Sequence, residues 1–175
     1  LLKHDLNVLC QRIDEGRHTF ANTLKYIFIT TSAHFGNMIS MALASLFLPF
    51  LPLLAKQILL NNLLSDIPAM GIAGDRVDRN WERIPHRWDV TLIRNFMITF
   101  GLVSVVFDLL TFGVLLYLAG EVEAIFRTGW FVESLLTELL IIFVIRTYKP
   151  FYRDQPSRFL IWSVIGIVLI ALLLP

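Results

Sequence analysis

The segment 61–68, NNLLSDIP, places polar side chains and a helix-breaking proline inside an otherwise apolar stretch of the chain. Asn62, Ser65 and Asp66 are spaced i, i+3 and i+4, so on a helix they share one face and their oxygen atoms can converge. Pro68 lacks an amide donor and clashes with the preceding turn, which frees backbone carbonyl groups close to Asp66. Carboxylate, amide and carbonyl oxygens are the ligands that a hard cation takes. The segment therefore predicts a cation site, with helix–helix hydrogen bonding as the alternative interpretation.

Other polar side chains recur in the apolar segments on either side. His34 and Asn37 are three residues apart and can share a helix face. Glu133 and Glu138 are five residues apart, about 140° around a helix, so we expect at most one of them to face the same site. Glu138 is favoured because it lies deeper in its segment. An ionisable residue at membrane depth indicates a functional site by default, and their recurrence predicts an ion path or an ion site.

Structural roles are the alternative for two of the polar residues. His34 is equally consistent with a neutral hydrogen bond between helices and with a position in the lining of the site. Asp108 is better explained by structure than by ligation. It can pair with a Thr or a backbone group, or carry a proton because desolvation disfavours its charge.

The composition is that of an integral membrane protein. The 175 residues are 56% hydrophobic, the mean hydropathy is +0.67, and the apolar residues come in long runs. The pattern predicts an all-α polytopic transmembrane bundle of about five spans, at 20–48, 51–73, 95–118, 130–148 and 159–175. The single Cys10 excludes an internal disulfide and argues against a thiolate metal cluster.

The basic residues predict the orientation of these spans. All but two, Lys56 and Arg127, of the 15 Lys and Arg residues fall on one side of the predicted spans. By the positive-inside rule, the N-terminus, the solvated loop 75–94 and the loop 149–158 are cytoplasmic. Because these charges orient the protein in a lipid bilayer, they do not indicate a nucleic-acid partner.

The sequence contains no nucleotide-hydrolysing machinery. It has no Walker loop, no Gly-rich dinucleotide turn and no acidic phosphorylation motif. We therefore predict no catalytic and no cofactor-binding residue in these 175 residues. The first residue is not Met, which favours a piece of a longer protein.

Several long segments carry a resemblance to one protein family. They are EGRHTFANTLKYIFITTSAHFGNMISM, ASLFLPFLPLL, KQILLNNLLSDIP, PHRWD, FDLLTF and RTGWFVESLLTELLIIFVIRT. Together they are similar to the carboxy-terminal membrane part of the magnesium-transporting P-type ATPases, the type IIIB branch. The resemblance covers essentially the whole chain.

The resemblance implies both an architecture and a ligand set. The five spans would be the fifth to the ninth of ten. Residues 1–19 would be the cytoplasmic stalk and the end of the phosphorylation domain, and residues 20–175 the transmembrane cation-transport domain. The actuator, phosphorylation and nucleotide domains would lie upstream in the same polypeptide, and ATP would be bound outside these residues, so this part alone would not hydrolyse it. The metal ligands that the resemblance implies are Asp66, Asn62, Asn37, His34 and Glu138.

Three positions depart from the usual residues of that family. His34 stands where Asn is common, Ala69 where one subgroup has Glu, and Glu138 where an amide is usual. Mg²⁺ still suits the site best, since it takes oxygen ligands and keeps its waters. An imidazole suits a transition metal better, so Zn²⁺, Mn²⁺ and Ni²⁺ stay open.

The predicted function is the membrane domain of an ATP-driven Mg²⁺ importer in a plasma membrane. In the proposed mechanism, phosphorylation upstream shifts the helix that starts near Phe20 and changes the geometry of Asn37 against Asp66. One alternative is a P-type pump for Ca²⁺, a transition metal or the proton. The other is a stand-alone membrane pore or accessory subunit without ATPase activity.

Overall fold

The fold is a bundle of α-helices. The computed structural model describes residues 6–77, 87–119, 122–146 and 156–173. The helices are α1 (Leu6–Phe47), α2 (Ala55–Met70), a 3₁₀ turn (Gly71–Gly74), α3 (Val90–Ala119), α4 (Glu123–Ile145) and α5 (Arg158–Leu173). These ranges contain helices and the connections between them, with no β-strand. The predicted all-α class is confirmed.

Three of the helices are long and apolar enough to cross a bilayer: Val8–Phe47, Val90–Leu118 and Glu123–Ile145. The segment Arg158–Leu173 is apolar but shorter, and α2 has only 16 residues. The third and fourth helices begin earlier than the sequence predicted, at Val90 and Glu123. The cytoplasmic loop predicted at 75–94 falls partly outside the described residues, as does most of the loop 149–158.

Prolines separate the first two helices. α1 runs without interruption through Gly16 and ends at Phe47, before Pro49. α2 then begins with the Leu54 amide donating to the Gln57 side-chain oxygen at 3.0 Å, which satisfies one of the free donors at this helix end. The short connection makes α1 and α2 a hairpin.

Pro68 lies inside α2 and is buried. Because proline has no amide hydrogen, the carbonyl oxygen of Leu64 loses its usual helical donor. The α-helix ends two residues later, at Met70, and tightens into the 3₁₀ turn. The sequence predicted that Pro68 disturbs the helix just beyond Asp66. In the structure this disturbance is the change from α-helix to 3₁₀ helix after Met70.

α1 and α3 pack closely through two glycines. A Cβ atom added to Gly36 would lie 3.1 Å from the Ser104 Cβ and 3.2 Å from the Gly101 carbonyl oxygen. Small residues allow membrane helices to approach in this way. The close approach brings the polar middle of α1 into the interior of the bundle.

α4 is the helix around which the core is built. Its buried side chains include Phe126, Trp130, Leu135, Leu139 and Ile142. They form one apolar cluster with residues of α1, α2, α3 and α5. Glu138 belongs to the same buried face, so a carboxylate is carried into the centre of the protein.

A buried ion pair between Asp75 and Arg146 joins the turn after α2 to the end of α4. Asp75, which the sequence placed in a solvated loop, is 1% exposed, and Arg146 at the end of α4 is also 1% exposed. Asp75 also accepts a hydrogen bond at 3.2 Å from the Ser157 amide, just before α5. The Asn22 side chain of α1 donates to the Asp75 carbonyl oxygen at 2.9 Å. This end of the bundle is therefore fixed to α1 by polar contacts.

Candidate cation site

The Glu138 carboxylate lies where three helices meet. The side chain belongs to α4 and the residue is 4% exposed. Its Oε1 accepts a hydrogen bond from the Asn37 Nδ2 of α1 and another, at 3.2 Å, from the Asn61 Nδ2 of α2. Two amide groups from two other helices are thus directed at one carboxylate oxygen.

Ser134, one helical turn before Glu138, completes this arrangement. Its hydroxyl donates to the Asn37 Oδ1 at 3.2 Å and accepts from the Asn61 Nδ2 at 3.4 Å. Asn37, Asn61, Ser134 and Glu138 therefore form one hydrogen-bonded group, which we call the amide–carboxylate cluster. Because its members come from three helices, any relative movement of these helices changes its geometry.

Two oxygen atoms of the cluster have no hydrogen-bond donor among the described residues. They are the Asn61 Oδ1 and the Glu138 Oε2, and both are shielded from solvent. The Ser65 hydroxyl of α2 lies close enough to interact with the Glu138 carboxylate, although it donates to the Asn62 carbonyl oxygen at 3.2 Å. Leaving a buried acceptor without a partner costs about 1–3 kcal/mol, and more for a charged group. Oxygens of this kind are suited to a cation or to its bound water.

A cavity of about 510 Å³ lies beside the cluster. Its polar lining comes from His34 and Asn37 of α1 and from Asn61 and Asn62 of α2. The apolar lining includes Met38, Met41, Leu53, Ile58 and Trp130. A cavity of this volume can hold an ion together with several water molecules.

The structure brings four of the five predicted ligands together. His34, Asn37 and Asn62 line the cavity, and Glu138 is hydrogen-bonded to Asn37. Asp66 lies at the edge of this group. It is half-buried, and it is not part of the cavity lining.

Sequence reasoning missed Asn61 and Ser134. It chose the α2 face with Asn62, Ser65 and Asp66, whereas the buried face of α2 consists of Asn61, Leu64, Ser65, Pro68 and Ala69. The helix is therefore rotated by about one residue, or 100°, from the expected orientation. The spacing i, i+4 and i+8 of Asn61, Ser65 and Ala69 is the signal that pointed to the buried face, because small residues line membrane helix interfaces.

Asp108 and Glu133 form a separate group. Asp108 is 1% exposed, and it accepts hydrogen bonds from the Ser40 hydroxyl and, at 3.0 Å, from the Trp130 Nε1. Its partners thus belong to α1 and α4, not to its own helix. Glu133 accepts from the Thr137 hydroxyl at 2.8 Å and interacts with Asp108. These contacts support the structural interpretation of Asp108.

The donor set favours an ion that keeps much of its water. Within the described ranges, no group of three or more His, Cys, Asp and Glu side chains is placed to hold a metal. The cluster instead offers one carboxylate with amide and hydroxyl oxygens. Mg²⁺ is commonly bound through one or two carboxylates while it retains several waters.

Comparisons with known proteins found a matching family and several similar relatives. Residues 50–175 match the family described as "Cation transporting ATPase, C-terminus". The chain is 41% identical over 180 aligned residues, covering 100% of its length, to "Magnesium-transporting ATPase, P-type 1" of Escherichia coli K12. It is 40% identical over 162 residues, covering 90% of its length, to the protein of the same name in Salmonella typhimurium LT2. The matched region is 20% and 18% of these relatives, so the chain spans about a fifth of their length.

Proposed function

The chain belongs to the cation-transporting ATPases, as part of their carboxy-terminal membrane region, and from this premise we propose that it forms the ion-binding part of an ATP-driven Mg²⁺ importer. The observation that carries the proposal is the buried Glu138 carboxylate, held by amides of α1 and α2 beside a cavity. The relatives are named as magnesium-transporting ATPases, which suggests Mg²⁺ as the ion.

The chemistry of the cavity suits Mg²⁺. Glu138 supplies negative charge, and the amide oxygens of Asn37 and Asn62 can contact the ion or its waters. Asp66, one helical turn beyond Asn62 on α2, adds a second carboxylate at the edge of the site. We assign Asp66, Asn62, Asn37, His34 and Glu138 as the residues that bind the transported ion.

α1 is the element that would couple the site to ATP hydrolysis. It has 42 residues, a length of about 63 Å at 1.5 Å per residue. One end lies before the first apolar span and the other carries Asn37 into the cluster. A displacement at the cytoplasmic end would therefore move Asn37 relative to Glu138 and alter access to the site.

The remaining parts of the machine lie outside these residues. In our proposal the actuator, phosphorylation and nucleotide domains lie upstream in the same polypeptide, and ATP is bound and hydrolysed there. The protein lies in the plasma membrane with the N-terminal end of α1 in the cytoplasm, as the distribution of Lys and Arg favours. The ion moves inward.

A transition metal is the second candidate cargo, and one observation favours it. His34 lines the cavity, and a neutral imidazole is a better ligand for Zn²⁺, Mn²⁺ or Ni²⁺ than for Mg²⁺. The oxygen-rich remainder of the site favours Mg²⁺.

Cation dependence of the full-length protein tests the proposal. The protein would be reconstituted in liposomes, and both ATPase activity and ion uptake would be measured with Mg²⁺, Mn²⁺, Ni²⁺, Zn²⁺ and Ca²⁺, each added beyond the amount that ATP chelates. We expect transport of Mg²⁺ above the other ions. Selective transport of another ion would replace the cargo, and passive flux without ATP would favour a pore.

A further inference from the structure

Among the described residues, Asn61 is hydrogen-bonded through its amide nitrogen and not through its amide oxygen. It is 2% exposed, and its Nδ2 faces two acceptors, the Glu138 Oε1 at 3.2 Å and the Ser134 Oγ at 3.4 Å. Its Oδ1 is equally buried and has no donor within the described part of the chain. The amide nitrogen of Asn61 thus has two acceptors, whereas its amide oxygen has no donor in the described ranges.

The same imbalance occurs in the residue that Asn61 contacts. Glu138 accepts two amide hydrogens at Oε1, while its Oε2 is buried without a donor. The two unpartnered oxygens therefore belong to side chains in direct contact, on the facing helices α2 and α4. Asn61 also lines the cavity, so a space lies next to the residue that carries one of these oxygens.

The geometry points to Asn61 as a further ligand of the site, which together with Glu138 binds a hydrated divalent cation between α2 and α4. This inference rests on the proposed function and adds a residue to the ligand set that the family resemblance implies. The Asn61 Oδ1 and the Glu138 Oε2 supply one oxygen each, and water completes the coordination. Asn61 is then a determinant of affinity and of the choice among divalent ions.

Leu63, two positions after Asn61 on α2, serves as a control position. Leu63 is 62% exposed on the outer face of α2. Its truncation to Ala removes apolar surface without reaching the cluster. Leu63→Ala is therefore a control for the general effect of altering this turn of α2.

The test compares Asn61→Leu, Asn61→Asp and Leu63→Ala in the full-length protein. Asn61→Leu removes the oxygen ligand, and we expect the Mg²⁺ concentration for half-maximal ATPase activity to rise about tenfold with little change in the maximal rate. Asn61→Asp keeps an oxygen but replaces the amide donor with a second negative charge beside Glu138. It should hold Mg²⁺ at least as tightly as the parent protein, with an altered preference between Mg²⁺ and Mn²⁺.

The rise in melting temperature on addition of Mg²⁺ distinguishes a ligand from a residue with a structural role. A structural role alone would not change this rise. In Asn61→Asp, two close carboxylates repel each other until a cation lies between them, so added Mg²⁺ should raise the melting temperature more than in the parent protein. Asn61→Leu should show a smaller rise than the parent, and Leu63→Ala the same rise. If Asn61→Leu does not fold, the response of Asn61→Asp decides.

The outcomes separate this inference from the proposed function. If the parent protein shows no Mg²⁺-dependent ATPase activity, the proposed function fails. If the parent responds to Mg²⁺ but the half-maximal concentration stays within about twofold in Asn61→Leu and the melting shift of Asn61→Asp equals that of the parent, Asn61 is not a ligand. Changes in maximal rate or folded yield alone would also overturn the inference.

Discussion

The Asp75 carboxylate and the Arg146 guanidinium form an ion pair in the protein interior, with 2.9 Å between Arg146 Nη1 and Asp75 Oδ2. The two side chains are separated by 71 positions in the sequence, and they are 0% and 1% exposed. The same Nη1 also lies 3.1 Å from Asp75 Oδ1. The pair joins the turn after α2 to the end of α4, the two helices that carry Asn61 and Glu138.

Removing the cation of this pair should destabilise the protein strongly. Arg146→Met leaves the Asp75 charge buried without its partner, which costs about 3–5 kcal/mol. The double variant Arg146→Met/Asp75→Asn removes the stranded charge and should recover part of the loss. Thermal unfolding of the full-length protein in detergent measures both effects.

An exposed ion pair gives the matched control for that measurement. Arg12 and Glu15 lie 2.7 Å apart on α1, with side chains 70% and 57% exposed. Arg12→Met should therefore change stability by less than about 1 kcal/mol. Equal losses in Arg12→Met and Arg146→Met would show that burial of the Asp75 pair is not important.

Asp66→Asn should stop ion-driven turnover without unfolding the protein. Asp66 is half-buried, so an amide of the same size can replace it at low cost, whereas the site loses a negative charge close to the ion. We expect ion-stimulated dephosphorylation of the phosphoenzyme to be abolished in the full-length protein, with a normal melting temperature. Mg²⁺ uptake at the parent's rate would exclude Asp66 from the site.

Two substitutions of Glu138 should separate its charge from its hydrogen bonds. Glu138→Gln keeps an oxygen that accepts from Asn37 and Asn61, so the variant should fold while its apparent Mg²⁺ affinity falls about tenfold, or 1.4 kcal/mol. Glu138→Leu removes the acceptor of the part-buried Asn37 amide and leaves the buried Asn61 amide with Ser134 as its one acceptor among the described residues, so it should cost about 1–3 kcal/mol. ATPase titration with Mg²⁺ and thermal unfolding measure the two effects.

Glu133→Gln is the control on the same helix. Glu133 interacts with Asp108 and Thr137 and makes no described hydrogen bond to the amide–carboxylate cluster. Its neutralisation should leave the Mg²⁺ concentration for half-maximal activity within about twofold of the parent value. A tenfold change would place Glu133 in the ion site. It would contradict the assignment of Glu138 as the α4 carboxylate that binds the ion.

Gly36→Leu should destabilise the contact between α1 and α3. A Cβ at this position meets the Ser104 Cβ at 3.1 Å and the Gly101 carbonyl oxygen at 3.2 Å, and a backbone oxygen cannot move aside without moving α3. The larger side chain should cost about 1–3 kcal/mol or more. Gly16→Leu on the same helix, where a Cβ has no neighbour within 4 Å, should instead stabilise the helix by about 0.5–1 kcal/mol. Thermal unfolding measures the change in stability of both variants. A change in the same direction in both would contradict the packing argument.

Local features of the sequence were sufficient to predict the helical bundle. The apolar runs of α3 and α5 and the prolines after α1 act within a few residues, because segment length and the loss of a helical donor need no distant partner. The position of Glu138 within its apolar segment likewise favoured it over Glu133. The positions of His34 and Asn37 on one face of α1 also followed from the helical period.

Only the tertiary structure decided which side chains meet. The helical period fixes the angles between residues on one helix, but the rotation of that helix against its neighbours depends on the packing of all of them. α2 has polar residues on adjacent faces, so the period alone could not distinguish Asn61 from Asn62 and Asp66. Asp75 was likewise read as solvated, because its partner Arg146 lies on a different helix. A buried charge is stable only where such a partner is brought to it, and that condition is set by the fold and not by the neighbouring sequence.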